Sequence, residues 1–340
     1  MISTSDIQVL RAELDQAGVF AHRPVTGWLK FAAMVGAAGA CLVATAMLPW
    51  WCAFLLLPIG AVATMTAVMF GHEAAHGSFA AGKTHNELLL HIAFPLLGGL
   101  GAQHWKNKHN HRHHGHPNVV GKDDDIELWP MAVSRVAHEE SSRPRRWWQR
   151  NLQGYFFWPL NLFLAFAMRA ATWQYIATRV RARRIDRALV VDVACLVLHY
   201  ALWLVVPALL FGPLPAVLVY VGLWSVVGLL LGLVFAPAHM GLPIIGQKGE
   251  GWQHQLETTR NLVMPRWMSW FFVGLNQQVE HHLFPRIPHQ ELPRARQITR
   301  AWCARIGAPH LEIGYGSAVA DVTRFMFHSW QLAPVDRSRR

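Results

Sequence analysis

Twenty of the 340 residues are histidine, more than packing or solubility requires, and nine of them fall in three tight clusters. In His72-Glu73-Ala74-Ala75-His76 two imidazoles stand at i, i+4, which on a helix puts both on one face and lets them share a metal ion. A second cluster holds His109, His111, His113, His114 and His116, and a third is Gln278-Val279-Glu280-His281-His282. His239 stands in Pro237-Ala238-His239-Met240-Gly241. Taken singly, each has an ordinary reading as a satisfied polar pair, a solvated basic loop or a loose metal-binding tract. Together they point to a metal site. The three clusters and His239 bring together at least seven or eight imidazoles, enough for two ions at about four each, whereas a catalytic zinc uses three protein ligands and an open position. Imidazole suits iron, copper or zinc. Cys41, Cys52, Cys195 and Cys303 form no C-x-x-C pair and read as small apolar residues. Asp124, Asp125, Gln278, Glu280 and Asn261 are candidates to orient ligand rings by hydrogen bonding.

The elements that must position these residues are membrane helices. Hydrophobic residues make up 53% of the chain and charged residues 15%, a balance that disfavours a soluble protein. Apolar runs at about residues 28–48, 51–70, 188–211 and 214–237 each reach the ~20 residues a membrane span needs. They form two hairpins with the short turns Pro49-Trp50 and Gly212-Pro213. The stretches Leu88–Leu100 and Tyr155–Trp173 contain His, Gly, Pro or Arg and read as interfacial or re-entrant helices. All 31 Lys and Arg lie outside the hairpin turns: three in residues 1–30, sixteen in 71–187 and twelve in 238–340. By the positive-inside rule both termini and the region between the hairpins face the cytoplasm. The expected fold is therefore all-α: one polytopic domain of four transmembrane helices, with a cytoplasmic helical cap (71–187 and 238–340) holding the metal site. Asp6, Glu13 and Asp15 precede the first apolar run, unlike a secretory signal peptide.

Several chemistries fit poorly. The net charge of +11 admits anionic lipid or an acidic partner, but the apolar runs leave nucleic acid the least fitting of these. No G-x-G-x-x-G follows a strand and no iron–sulfur cysteine spacing is present, so electrons must come from another protein. His72-Glu73-x-x-His76 matches the H-E-x-x-H zinc protease motif, with Glu73 as general base, but that reading leaves the other clusters without a role. A metal carrier would place acidic or His residues within the spans, where only His199, and Asp192 near one end, are found.

The motifs resemble those of the membrane fatty-acid desaturases and their hydroxylase relatives, known by histidine boxes of the form H-x(3,4)-H, H-x(2,3)-H-H and [HQ]-x(2,3)-H-H. Here these are His72/His76, His109/His113/His114 and Gln278/His281/His282, and the resemblance covers roughly residues 50 to 310. W-K-x-K-H-N before the second box, P-N-V-V-G and D-D-I after it, E-T-T-R-N at Glu257–Asn261 and Q-x-E-H-H-L-F-P at Gln278–Pro285 resemble the front-end acyl-lipid branch. Two departures are visible. The second box has three residues between His109 and His113 where that branch usually has two, and Phe235 stands where related enzymes carry an Asn four residues before the His at position 239. The resemblance implies a di-iron centre held by His72, His76, His109, His113, His114, His239, His281 and His282, with His111 and His116 as additional or alternative ligands, and it implies O₂ as cosubstrate and a long acyl chain on lipid, CoA or a carrier protein. A double bond is the implied product. Hydroxylation or ketolation of an alkyl or lipid substrate is the alternative on the same scaffold. With no His-Pro-Gly-Gly haem domain in the sequence, the expected electron donor is a separate ferredoxin, or a small cytochrome with its reductase, and the expected location a bacterial inner membrane.

Overall fold

Four apolar runs become four long helices. The computed structural model describes residues 2–246 and 251–335. Among these, four helices are long and apolar enough to cross a membrane: Pro24–Met47, Trp50–Ala75, Arg187–Phe211 and Pro213–His239. Three lie within a few residues of their expected bounds. The second passes residue 70 and reaches Ala75, so His72 occupies its last turn and His76 caps it. Gly212, at φ +90, makes the sharp turn between the last two helices, a conformation that favours glycine. At the start of the third, the Asp186 side chain accepts from the Leu189 N–H. That bond, with help from Arg179, holds the Asp186 carboxyl below the usual range. The weaker stretches are each interrupted: Lys83–His91 widens into a π-helix over Ile92–Gly98, and Gln153–Leu160 passes through a tight 3₁₀ turn, Asn161–Phe163, into Leu164–Arg181.

The chain divides into two compact units of interleaved sequence. One comprises His22–Asn107 and Leu160–Gly232. It takes in residues 71–107 and 160–187, which the hydropathy pattern assigned to the cap, together with most of the apolar helices. Its first two long helices are joined by the edge-to-face rings of Phe31 and Phe70, 5.9 Å apart, and Trp28 also meets Phe79, in the loop past the second helix, at 5.3 Å. Gly228 and Gly232 let the last long helix lie directly on Asn161; a Cβ on either would come within 2.5 Å of that residue. Arg169 is buried, stacks 3.9 Å from the centre of the Trp224 ring and donates to the Gly98 carbonyl at 2.8 Å. His199 bonds the Leu96 carbonyl and the Tyr220 hydroxyl, both at 3.0 Å, so both its ring nitrogens have local partners.

The other unit comprises Met1–Ala21, Lys108–Pro159 and Leu233–Arg340. Ile7, Leu10 and Leu14 of the helix Thr4–Gln16 bury their i, i+3, i+7 face against Leu292, Ala295, Trp302 and Cys303 of the helix Leu292–Ile306. Val279 and Leu283 join the same core, which fixes the short helix Gln278–Leu283. An all-helical fold was expected. The exception among the described residues is one parallel pair, Asn261–Val263 with Glu312–Gly314, in register Asn261–Glu312. Isolated bridges add Val119 to Ile245 and Ile245 to Val335. Gln153 is wholly buried and ties three segments: it bonds both backbone groups of Ala132, the Met326 carbonyl and the Ser329 hydroxyl.

Candidate metal centre

Six of the eight expected ligands lie in the second unit. His109 and His113 sit on the segment Lys106–His113, which is a π-helix. The His114 N–H bonds the His109 carbonyl five residues back, as that wider turn requires. On such a turn i, i+4 and i+5 share a face. The ring centres of His109 are 5.1 Å from His113 and 4.7 Å from His114. The widened turn therefore absorbs the extra residue of the second box. His111 falls on the outer side and is exposed. His116 is half-buried, and neither it nor His111 offers a nitrogen to the groupings below.

The six imidazoles form two triads. In the first, ring nitrogens of His113, His239 and His282 lie within 4.8 Å of one another. His239 comes from the C-terminal end of the helix Pro213–His239, and His282 from the short helix Gln278–Leu283. Each ring in this triad presents Nδ1 to an oxygen: His113 to the Asp123 carboxylate at 3.1 Å, His239 to the Thr258 carbonyl at 3.3 Å, His282 to Gln255 Oε1 at 3.0 Å. A carboxylate or carbonyl only accepts, so Nδ1 carries the proton at His113 and His239, and the Gln255 carbonyl does the same for His282. Nε2 is then the basic nitrogen of all three rings, as metal-binding histidines require. In the second triad Nε2 of His114 is 3.2 Å from Nε2 of His109 and 3.1 Å from Nε2 of His281. Two convergent sets of nitrogens, with oriented tautomers in one and no thiolate in either, fit an imidazole-bound metal pair.

The carboxylates beside the site divide their work. Asp123, fully buried and not among the residues expected from sequence, carries His113. It also accepts from the N–H of Asn118 at 2.8 Å and of Asp125 at 2.9 Å. Asp125 approaches His113 Nδ1 at 3.4 Å and pairs with Lys108 Nζ at 2.8 Å. Against the cost of burial, that ammonium holds the Asp125 carboxyl well below the usual range. Asp124, expected beside a ligand ring, instead pairs with Arg112 at 2.7 Å. Glu280 is fully buried, receives Asn261 Nδ2 at 2.8 Å and bonds His310 Nε2 at 2.8 Å. Asn261 Oδ1 also accepts from the Val279 N–H, so this pair fixes the backbone beside His281 and His282. Gln278 donates to the Leu275 carbonyl rather than to a ring. Besides Asp123, sequence reasoning missed Asn118, Gln255 and His310. Asp123 opens the acidic run beside Asp124 and Asp125, and Asn118 lies in the P-N-V-V-G stretch, so both carried a signal.

In the first unit, His72 is buried and His76 half-buried, with ring centres 4.8 Å apart. Glu73 is buried between them in sequence, and its carbonyl accepts from both the backbone N–H and the hydroxyl of Ser78.

Comparison with known proteins follows the same lines. The family described as "Fatty acid desaturase" matches residues 48–314. The chain is 28% identical over 262 residues to the acyl-lipid (9-3)-desaturase of Physcomitrium patens, covering 74% of this chain and 49% of that one. It is 23% identical over 335 residues to fatty acid desaturase 3 of Bos taurus, covering 94% and 71%. With the sn-1 linoleoyl-lipid 6-desaturase of Synechocystis sp. it shares 26% identity over 258 residues, 71% and 69% of the two chains. The chain thus spans about half the length of the moss relative. On the match over most of its length, it belongs to the fatty acid desaturase family.

Proposed function

We propose that this chain is a membrane fatty-acyl desaturase that uses O₂ and two iron ions to introduce a double bond into a long acyl chain. The observation that carries the reading is the pair of imidazole triads, one with all three Nδ1 atoms bound to oxygen acceptors. The names of the relatives, all acting on fatty acyl groups, support it. On the family pattern, His72 and His76 are further ligands. An unactivated C–H bond offers nothing to acid–base groups, and a bound pair of irons supplies the oxidising chemistry it needs.

The rest falls to the protein. Asp123, Thr258 and Gln255 hold the ligand rings, and Glu280 with Asn261 holds the backbone of the third box. Burial of His113, His239 and His282 keeps water from the reacting centre. The long apolar helices accommodate the acyl tail. Removing two hydrogens while O₂ becomes two waters takes two further electrons and two protons. A separate redox protein, a ferredoxin or a small cytochrome with its reductase, delivers the electrons. The Lys and Arg asymmetry supports a cytoplasmic side for that encounter, the active site and both termini.

The H-E-x-x-H protease reading has less support, because it gives the six imidazoles of the second unit nothing to do. Gas chromatography of lipids from an expressing host, against an empty-vector control, tests the proposal. New double bonds are expected. New hydroxyl or keto groups without new unsaturation would replace it with the hydroxylase or ketolase alternative.

A further inference from the structure

Asn118 is 1% exposed and holds φ at +57, a left-handed conformation uncommon for a residue with a side chain. Its neighbours account for the strain. The backbone N–H donates to Asp123 Oδ2 at 2.8 Å, and Asp123 is the carboxylate that carries His113. The side-chain amide Nδ2 donates to the His239 carbonyl at 3.1 Å and lies 3.3 Å from the Pro243 carbonyl. The Asn118 carbonyl accepts from the Ile245 N–H at 2.8 Å. One residue thus grips the support of one ligand ring with its backbone and the main chain of another with its side chain. Those rings, His113 and His239, lie 4.7 Å apart between centres.

From this geometry we propose that Asn118 is a positioning residue for the metal centre: it sets His113 and His239 relative to each other by clamping Asp123 and the His239 carbonyl together. The inference rests on the reading of these histidines as iron ligands. Asparagine suits the role on two grounds. It tolerates the left-handed backbone better than other residues with a side chain, and its amide reaches a carbonyl that a shorter or acidic side chain could not satisfy. Aspartate at this position would set an acceptor against the His239 carbonyl oxygen, another acceptor. Glycine would keep the turn and the N–H to Asp123 but lose the grip on His239.

The Asn118→Gly and Asn118→Ala variants separate the turn from the clamp. Iron titration of the purified apoprotein reads affinity independently of turnover. Both variants are expected to bind iron ~10–100-fold more weakly than the parent chain, the usual cost of losing a group that orients a metal ligand. The glycine variant, which relieves the backbone strain, is expected to keep a near-parental thermal midpoint as apoprotein. With iron restored to saturation, kcat is expected to fall and KM for the acyl substrate to stay within about twofold, because substrate contacts are untouched. Parental iron affinity and kcat in Asn118→Gly would overturn the proposal, leaving Asn118 only a turn residue. A His113→Ala control distinguishes the two levels: if it too binds iron like the parent, the ligand assignment fails rather than the clamp.

Discussion

Replacing His113 with alanine is expected to abolish the proposed desaturation and to lower the iron content of the purified chain. Three properties of His113 combine to make this the most damaging of the ligand changes. Its ring is 2% exposed, and its Nδ1–H is held by Asp123 with Asp125 close by. Its ring centre is 4.7 Å from His239 and 5.0 Å from His282, so its loss opens the first triad. It also strands Asp123, a fully buried carboxylate, without the imidazole it faces. Asp123→Ala is expected to be milder, with ~10–100-fold lower activity or metal affinity, because the ring survives and loses only its orientation. Metal analysis and product formation on the two variants check this order. Equal and near-parental iron in both would remove the first triad from the metal site.

Arg260→Ala is expected to give the largest loss of stability that leaves every ligand in place. Arg260 is 5% exposed and lies past the C-terminal end of the helix Pro213–His239. Carbonyls there have no partner within the helix. Nε donates to the Pro237 carbonyl at 2.7 Å and Nη2 to the Met240 carbonyl at 3.0 Å, while Nη1 meets Asp321 at 3.2 Å. Burial pulls the guanidinium below its usual range and Asp321 pushes it back, so the group stays a cation. Alanine would leave both carbonyls unsatisfied and Asp321 with Arg324 alone. Asp321 is partly solvated, so the expected cost is ~3 kcal/mol, the low end for breaking a buried ion pair. Lysine is expected to recover only part, since a single ammonium lacks the planar fork that serves three acceptors. The denaturation midpoint of the three proteins in detergent, followed by far-UV circular dichroism, measures both effects. A midpoint unchanged in Arg260→Ala would show that water replaces the guanidinium at no cost.

Much of this arrangement is legible in the sequence, for reasons that differ by element. The four long helices follow from apolar runs bounded by Pro49, Gly212 and Pro213, since a membrane leaves the backbone few other options. The second helix runs on to Ala75 because nothing after Phe70 breaks it: Gly71 to Ala75 contain no proline, and the chain turns only after His76, at Gly77 with φ +69. The histidine boxes are visible as letters, but their geometry is not. H-x(3)-H-H does not fit the face of an ordinary helix as H-x(2)-H-H does, and the π-turn over Lys106–His113 that reconciles them leaves no mark in composition. The choice among Asp123, Asp124 and Asp125 was also hidden. It is made by tertiary contacts: the Asn118 and Asp125 N–H groups turn Asp123 inward, while Arg112 draws Asp124 outward. Asn261 and Glu280 stand out in the motifs, but that they bond each other depends on a strand pairing, Asn261–Val263 with Glu312–Gly314, too short to show any period.

That the clustered imidazoles hold two irons is the requirement on which the proposed chemistry depends. Metal analysis of the purified chain, run beside the His282→Ala variant, tests it most directly. About two iron ions per parent chain and little zinc are expected, and in the variant a loss of iron together with a loss of new double bonds in the host lipids. One zinc per chain, with full activity retained in His282→Ala, would contradict it.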